Sequence, residues 1–207
     1  MNYIFCQGKA KVLKSIIGMW QKINNKYCVR NKGIDALYWY NERASLSTLV
    51  GAIWKSGGTA LEEFSSQKMS HKRKKTGRTD LWFEWQGGKY LIESKQAPPL
   101  ALSSPRALKS INNILDEACS DAKKFLSKEH LERIGLVFVS PYLRQPRMKK
   151  LDNHIKDFKT NLEQMHRSDK SIFYACSFPN SARDLKYRDK DRCYYYHPGV
   201  VLIGKFI

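Results

Sequence analysis

Acidic residues are scarce in this chain: 19 Asp and Glu stand against 37 Lys and Arg in 207 residues, a formal net charge of +18. That imbalance greatly exceeds what solubility requires and points to a polyanionic partner, nucleic acid first and an anionic membrane surface second. Cysteines are few and scattered. Cys6, Cys28, Cys119, Cys176 and Cys193 are odd in number and include no CxxC pair, which excludes a disulfide framework and a zinc site of that type. Long apolar runs are missing as well: nothing approaches the roughly 20 residues of a membrane span, and the N-terminal run is too short and too interrupted by lysine for a secretory signal. The expectation is a soluble, cytoplasmic protein with no membrane partner. Repeats and low-complexity tracts are absent. His154, His166 and His197 stand apart from any nucleophile or companion ligand.

What is present is enough apolar material, 42% of the chain, to bury one substantial core. Residues 9–24 carry Val12, Ile16, Ile17 and Trp20 at helical spacing among lysines, and this stripe predicts a helix that packs on the domain or a partner in preference to lipid. We therefore expect a basic helical extension over 1–34 and one domain over 35–207, with a core at about 35–140 and C-terminal elements at about 148–207. A helix is predicted from Asp35 to the Gly57-Gly58 stop, with Leu46, Leu49, Val50, Ile53 and Trp54 on one face. Residues 59–67 read as a strand, and "DLWFEWQ" and "KYLIESK" read as a hairpin. After a proline-rich loop, helical periodicity runs through Leu108, Ile111, Leu115, Ala118, Ala122 and Phe125. "IGLVFVS" suits a strand buried on both faces. A polar helix at about 148–166 and two last strands, "SIFYACSF" and "GVVLIGKF", follow. The class is α/β, with a mixed sheet of about four to six strands flanked by helices.

The hairpin carries the chemistry. With Gly87-Gly88 as a two-residue turn, Asp80 lies opposite Lys95, Trp82 opposite Glu93 and Glu84 opposite Leu91. One face then collects Leu81, Phe83, Trp85, Tyr90 and Ile92. The other gathers Asp80, Glu93 and Lys95 at one end, with the two acids as diagonal neighbours. Paired carboxylates without His or Cys favour Mg²⁺, with Mn²⁺ as the alternative, and a lysine beside them can orient water and offset charge building on a phosphate.

These residues resemble the PD-(D/E)XK superfamily of restriction-endonuclease-like nucleases. The resemblance rests on Asp80 on the second core strand, on Glu93-Ser94-Lys95 on the third, and on the order helix, three-strand meander, helix, strand over about half the chain. Thr79 stands where the family name has proline. The resemblance implies that Asp80, Glu93 and Lys95 are catalytic and that Glu42, on the first core helix, is a third metal-binding carboxylate. Glu62 and Glu63 are the alternatives for that place. Gln96 is similar to a glutamine some members carry after the triplet. The implied activity is a metal-dependent endonuclease that hydrolyses DNA and leaves 5′-phosphate and 3′-hydroxyl ends.

"KMSHKRKKTGR" (68–78) has six Lys or Arg and no acid. As a cationic loop entering the site it would grip phosphates through Lys72, Arg73, Lys74, Lys75 and Arg78. DNA is the expected partner, with other subunits of a DNA-processing complex (a transposase, helicase or methyltransferase) or a second copy of the chain as further ones. The rival expectation is a non-catalytic basic nucleic-acid-binding subunit.

Overall fold

Apolar residues on both faces of the inner strands require cover from both sides, and helices before and after the central meander supply it. The computed structural model describes residues 1–207 apart from 71–72, 103, 105, 128–129 and 189–191. In chain order the strands and α-helices are β1 (Asn2–Phe5), α1 (Lys14–Arg30), α2 (Glu42–Lys55), β2 (Thr59–Ser70), β3 (Arg73–Trp85), β4 (Gly88–Gln96), β5 (Leu100–Ala101), α3 (Ala107–Lys123), β6 (Glu132–Val139), β7 (Pro141–Arg144), α4 (Leu151–Ser168), β8 (Ile172–Ser177), β9 (Lys186–Arg188), β10 (Tyr194–Tyr196) and β11 (Val200–Phe206). A mixed seven-stranded sheet runs β1-β8-β11-β6-β4-β3-β2, and a small second sheet runs β5-β7-β10-β9. Among the described residues of the large sheet, β4 and β6 pair in parallel and the other neighbours pair antiparallel. No helix among the described residues is long and apolar enough to cross a membrane, and all five cysteines are free.

Alternation sorts the core into two layers. Ile134, Leu136 and Phe138 of β6 and Leu81, Phe83 and Ile92 of the hairpin pack with Ile16, Trp20, Leu46 and Ile53 of α1 and α2. Val137, Val139, Val201 and Ile203 point the other way, into Ile111, Leu115, Phe158 and Leu162 of α3 and α4. Residues 1–34 are continuous with this core. β1 joins the sheet edge beside β8, and Trp20, 1% exposed, donates its indole N–H to Thr48 Oγ1 of α2 at 3.1 Å.

Several boundaries differ from those expected. The sheet has seven strands, since four-residue β1 is too short to show a period and β8 and β11 both enter it. The helix expected from Asp35 begins at Glu42, because Asp35 closes its own turn on the Ala36 N–H and the Asn41 side chain accepts from the Ala44 N–H at 2.9 Å as the cap. The second long helix stops at Lys123. Beyond it the backbone bonds to β2, Met69 N–H to Lys124 O at 2.7 Å and Leu126 N–H to Gln67 O at 2.9 Å, and this outweighs the helical spacing of Phe125.

The hairpin register is shifted by two. Gln86 and Gly87, with φ of 49° and 75°, form the tight turn, so Trp85 pairs with Gly88, Phe83 with Tyr90 and Leu81 with Ile92. Both turn residues take left-handed backbone, as the mirror-image hairpin turns require. Gly88 serves space instead, since a Cβ there would stand 2.6 Å from the Tyr90 hydroxyl. A slip of two leaves every side chain on its expected face, but Asp80 is now level with Glu93 and not with Lys95. Residues 68–70 and 73–78 are also strand and not loop: β2 and β3 stay paired out to Ser70↔Arg73 as a ribbon that runs on past the end of the β3–β4 pairing, with the other edge of β2 bridged from Lys68 to Phe125.

Gly135 on β6 is where α3 approaches most tightly, for a Cβ there would meet Cys119 Sγ at 2.5 Å and Cys119 N at 2.6 Å. Gly135→Ala should therefore push α3 outward and cost about 1–3 kcal/mol. The expected readout is a lower urea midpoint with an unchanged slope; an unchanged midpoint refutes the close packing.

Candidate active site

β3 and β4 pair as far as Leu81↔Ile92 and then part. β4 continues against β6, from Glu93↔Gly135 to Gln96↔Phe138. β3 continues against β2, whose pairing skips Glu63, a residue at φ 55°, and resumes at Phe64↔Thr79. The parting leaves backbone N–H groups on one edge of β4 without a strand partner, and buried N–H groups must be satisfied. Carboxylates take them. Ser94 N–H donates to Asp80 Oδ2 at 2.7 Å, and Gln96 N–H donates to Glu42 Oε2 at 3.2 Å.

Glu42 reaches this edge because it is the first residue of α2, held there by the Asn41 cap. Its other oxygen lies 2.9 Å from Ser94 Oγ, and the same hydroxyl lies 3.3 Å from Asp80 Oδ2. One hydroxyl has one proton, so it can donate to only one of these acids at a time. Burial raises the Glu42 pKa, and the Asp80 charge adds to the rise; the hydrogen bonds from Ser94 and Gln96 and the charge of Lys95 only partly offset it.

Glu93 and Lys95 flank Ser94 and point to the α3 side of the sheet. Glu93 is 3% exposed, and its carboxylate meets the Lys68 ammonium of the ribbon at 2.6 Å. Burial dominates and raises its pKa; Lys68 opposes the rise, while Asp80 and Asp121 add to it. Lys95 Nζ lies 2.8 Å from Asp121 Oδ2 of α3. Burial lowers the Lys95 pKa most, but the Asp121 bond and the charges of Asp121, Glu42 and Asp80 outweigh it, so the net direction is up and the ammonium stays charged.

Glu42, Asp80, Glu93 and Lys95 are thus brought to one end of the hairpin from α2, β3 and β4. The alternative acids are engaged elsewhere: Glu62 accepts from Ser47 Oγ at 3.4 Å, and Glu63 pairs with Arg43 at 3.4 Å and with Arg78. Arg78 is therefore part of an ion pair beside the site. Arg73, Lys74 and Lys75 are exposed along the ribbon, and Lys72 lies outside the described residues. Gln96 turns its side chain towards α2, with Oε1 3.2 Å from Ser45 Oγ.

Sequence reasoning missed Lys68, Asp121 and the role of Ser94. A buried acid such as Glu93 needs a cation, which was a signal to look for one, but the partner comes from a strand 25 residues away. Among the described residues no group of three or more His, Cys, Asp or Glu is arranged to hold a metal ion. In comparisons with family models, curated proteins and solved structures, none matches this chain.

The buried Lys68–Glu93 pair yields a measurable outcome. Lys68→Ala leaves a buried carboxylate uncompensated and should cost about 3–5 kcal/mol at neutral pH. The Glu93 pKa is already raised in the fold and rises further without Lys68, so the folded state holds the proton more tightly than the unfolded one. Stability of the variant should therefore increase as pH falls from neutral through that raised folded-state value, and level off below the ordinary carboxylate range. Adding Glu93→Gln should remove the pH dependence. Urea denaturation of the single and double variants over this range measures both, and a loss independent of pH would show that Glu93 is not its source.

Proposed function

We propose that this chain is a metal-dependent nuclease that hydrolyses DNA phosphodiester bonds at the parting of β3 and β4. The observation that carries the reading is the capping of the open β4 edge by Asp80 and Glu42, with Glu93 and Lys95 on either side of Ser94. Ladder N–H groups satisfied by half-buried, mutually repelling carboxylates are an expensive way to finish a strand, and such arrangements cluster at functional sites. The order α2, β2-β3-β4, α3, β6 supports a restriction-endonuclease-like core and a place in the PD-(D/E)XK superfamily.

The donor set fits a hard divalent ion. Its oxygens are all carboxylate, Asp80 raises the pKa of both Glu42 and Glu93, and Mg²⁺ needs only one or two protein carboxylates beside water and phosphate. Asp80 and Glu93 would hold it, with Glu42 behind them; when bound, it supplies Lewis-acid stabilisation and a more acidic water. The chain's own residues do the rest. Ser94 fixes the orientation of Asp80 and Glu42. Asp121 aims the Lys95 ammonium, whose fixed charge offsets the negative charge that builds on the phosphate as water attacks in line. Arg73, Lys74 and Lys75, exposed on the ribbon, bind backbone phosphates without reading sequence.

A second reading has one observation in its favour. The Lys68 ammonium already sits on Glu93, as it would in a basic subunit that binds nucleic acid without cutting it. Incubation with plasmid, linear duplex, single-stranded DNA and RNA, in Mg²⁺ or in EDTA, separates the two. The nuclease reading expects cleavage of DNA in Mg²⁺ that EDTA abolishes, and a loss of 100-fold or more, on the order of the loss of one transition-state donor, in Asp80→Ala and in Lys95→Ala. Both variants should still bind. Cleavage that survives EDTA or both substitutions sinks the mechanism, and binding without cleavage under every condition establishes the subunit. Replacing Arg73, Lys74 and Lys75 by Ala should lower affinity for all sequences and reduce the salt slope by about 0.7–0.9 for each phosphate no longer neutralised.

A further inference from the structure

A cleft of about 340 Å³ opens beside the carboxylates, lined by Tyr38, Trp39, Tyr40, Gln96, Tyr187 and His197 among others. Its volume is at the low end of small-molecule pockets, about 300–1,000 Å³, and suits one planar ring system with its sugar. Gln96 belongs to both places: its backbone N–H is capped by Glu42, it follows Lys95 directly, and it lines the cleft.

The inner wall is rigid. Tyr38 is 2% exposed and donates its hydroxyl to His197 O at 3.2 Å; the His197 ring lies 5.9 Å from Trp39 and has Nδ1 3.5 Å from Ser140 Oγ. Burial holds His197 neutral, with its pKa lowered to about 4, so this wall presents uncharged rings at physiological pH. The outer lip is different. Tyr40 is 63% exposed and Tyr187 53% exposed. The Tyr40 hydroxyl is tied to Asp35 Oδ2 at 2.9 Å, so an exposed ring is held in position instead of folding down onto apolar surface. Exposed aromatics gathered around one cleft, as opposed to scattered singly, are the pattern of an interaction site. On β9, Lys186 and Arg188 flank Tyr187 and lie over the Tyr194 ring at 4.9 and 5.6 Å, which sets positive charge next to the lip.

Uncharged aromatic walls, a cationic surround and a shared residue with a phosphodiester-cleaving site together select one ligand chemistry. We propose that the cleft takes a single unpaired nucleobase, stacked against Tyr40, Tyr187 and Trp39, and so delivers the adjoining phosphate to Lys95 and Asp80. The preferred substrate is then single-stranded or locally unpaired DNA, because a base inside a duplex must first be unstacked at a cost of a few kcal/mol. This inference rests on the nuclease reading of the neighbouring carboxylates.

The test uses the full chain in EDTA, with fluorescein-labelled oligothymidylate, a duplex of equal length and an abasic single strand as probes. Tyr40→Ala/Tyr187→Ala changes exposed side chains and should fold normally by circular dichroism. It should bind oligothymidylate about tenfold more weakly, the scale of lost base stacking, with duplex and abasic affinity unchanged. Photocrosslinking of an oligonucleotide carrying 5-iododeoxyuridine should label a peptide containing Trp39, Tyr40 or Tyr187. Unchanged oligothymidylate affinity, an equal loss on all three probes, or crosslinks only elsewhere overturns the proposal. Cleavage by the intact protein in Mg²⁺ is scored alongside. If it cuts nothing yet shows the base-dependent binding, the nuclease reading falls and the cleft stands; if it cuts and the variant binds single strands as before, the reverse holds.

Discussion

Two backbone N–H groups, those of Ser94 and Gln96, decide how this molecule is arranged. β3 leaves β4 after Leu81 and Ile92, and each N–H left unpaired at a strand edge away from water costs about 1–3 kcal/mol. Asp80 and Glu42 complete the ladder with carboxylate oxygens. Everything near the site follows from that substitution. Glu42 must open α2 at the right height, so Asn41 must cap it. Charged groups must lie close together, so Lys68 and Asp121 must reach in to Glu93 and Lys95.

The electrostatics are balanced locally and left uneven overall. Each of Glu93, Lys95 and Glu63 has an opposite charge beside it, as burial demands. Glu42 and Asp80 instead share one hydroxyl proton. The formal excess of +18 is spread over the rest of the chain, and Arg73, Lys74 and Lys75 of the ribbon carry part of it where water screens it. Within the ribbon Lys68 is drawn in to Glu93, while Arg73, Lys74 and Lys75 face solvent.

Much of the site was legible because strand alternation is robust. Leu81, Phe83, Tyr90 and Ile92 announced an inward face, and a turn misplaced by one residue, which shifts the register by two, still kept Glu93 and Lys95 together on the opposite one. The turn itself was obscured because Gln86, a residue with a side chain, takes left-handed backbone where Gly-Gly looked the better choice. The ribbon was illegible because its strands carry lysine and serine on both faces, so hydrogen bonds hold it without any apolar period. Lys68 and Asp121 could not be assigned, since each comes from an element whose height against β4 depends on packing: α3 settles where Gly135 of β6 lets Cys119 approach the sheet. Asp35 read as a helix start for the same kind of reason, its carboxylate being taken by Tyr27 and Tyr40 hydroxyls that local pattern does not reveal.

The strand order sets a timetable for assembly. β2, β3, β4 and β6 draw on residues 59–139 and meet through one hairpin, one ribbon and one crossover helix. β1 and β8, by contrast, can join that half only through β11, which lies between β8 and β6 and follows every other described strand in the chain. Contacts close in sequence form early, and those that close long loops form late. The hairpin that bears the carboxylates therefore belongs to the part able to organise first, whereas α1, whose Trp20 must reach Thr48 from an N-terminal segment anchored through β1, gains its full support only when Val200–Phe206 slots into the middle of the sheet.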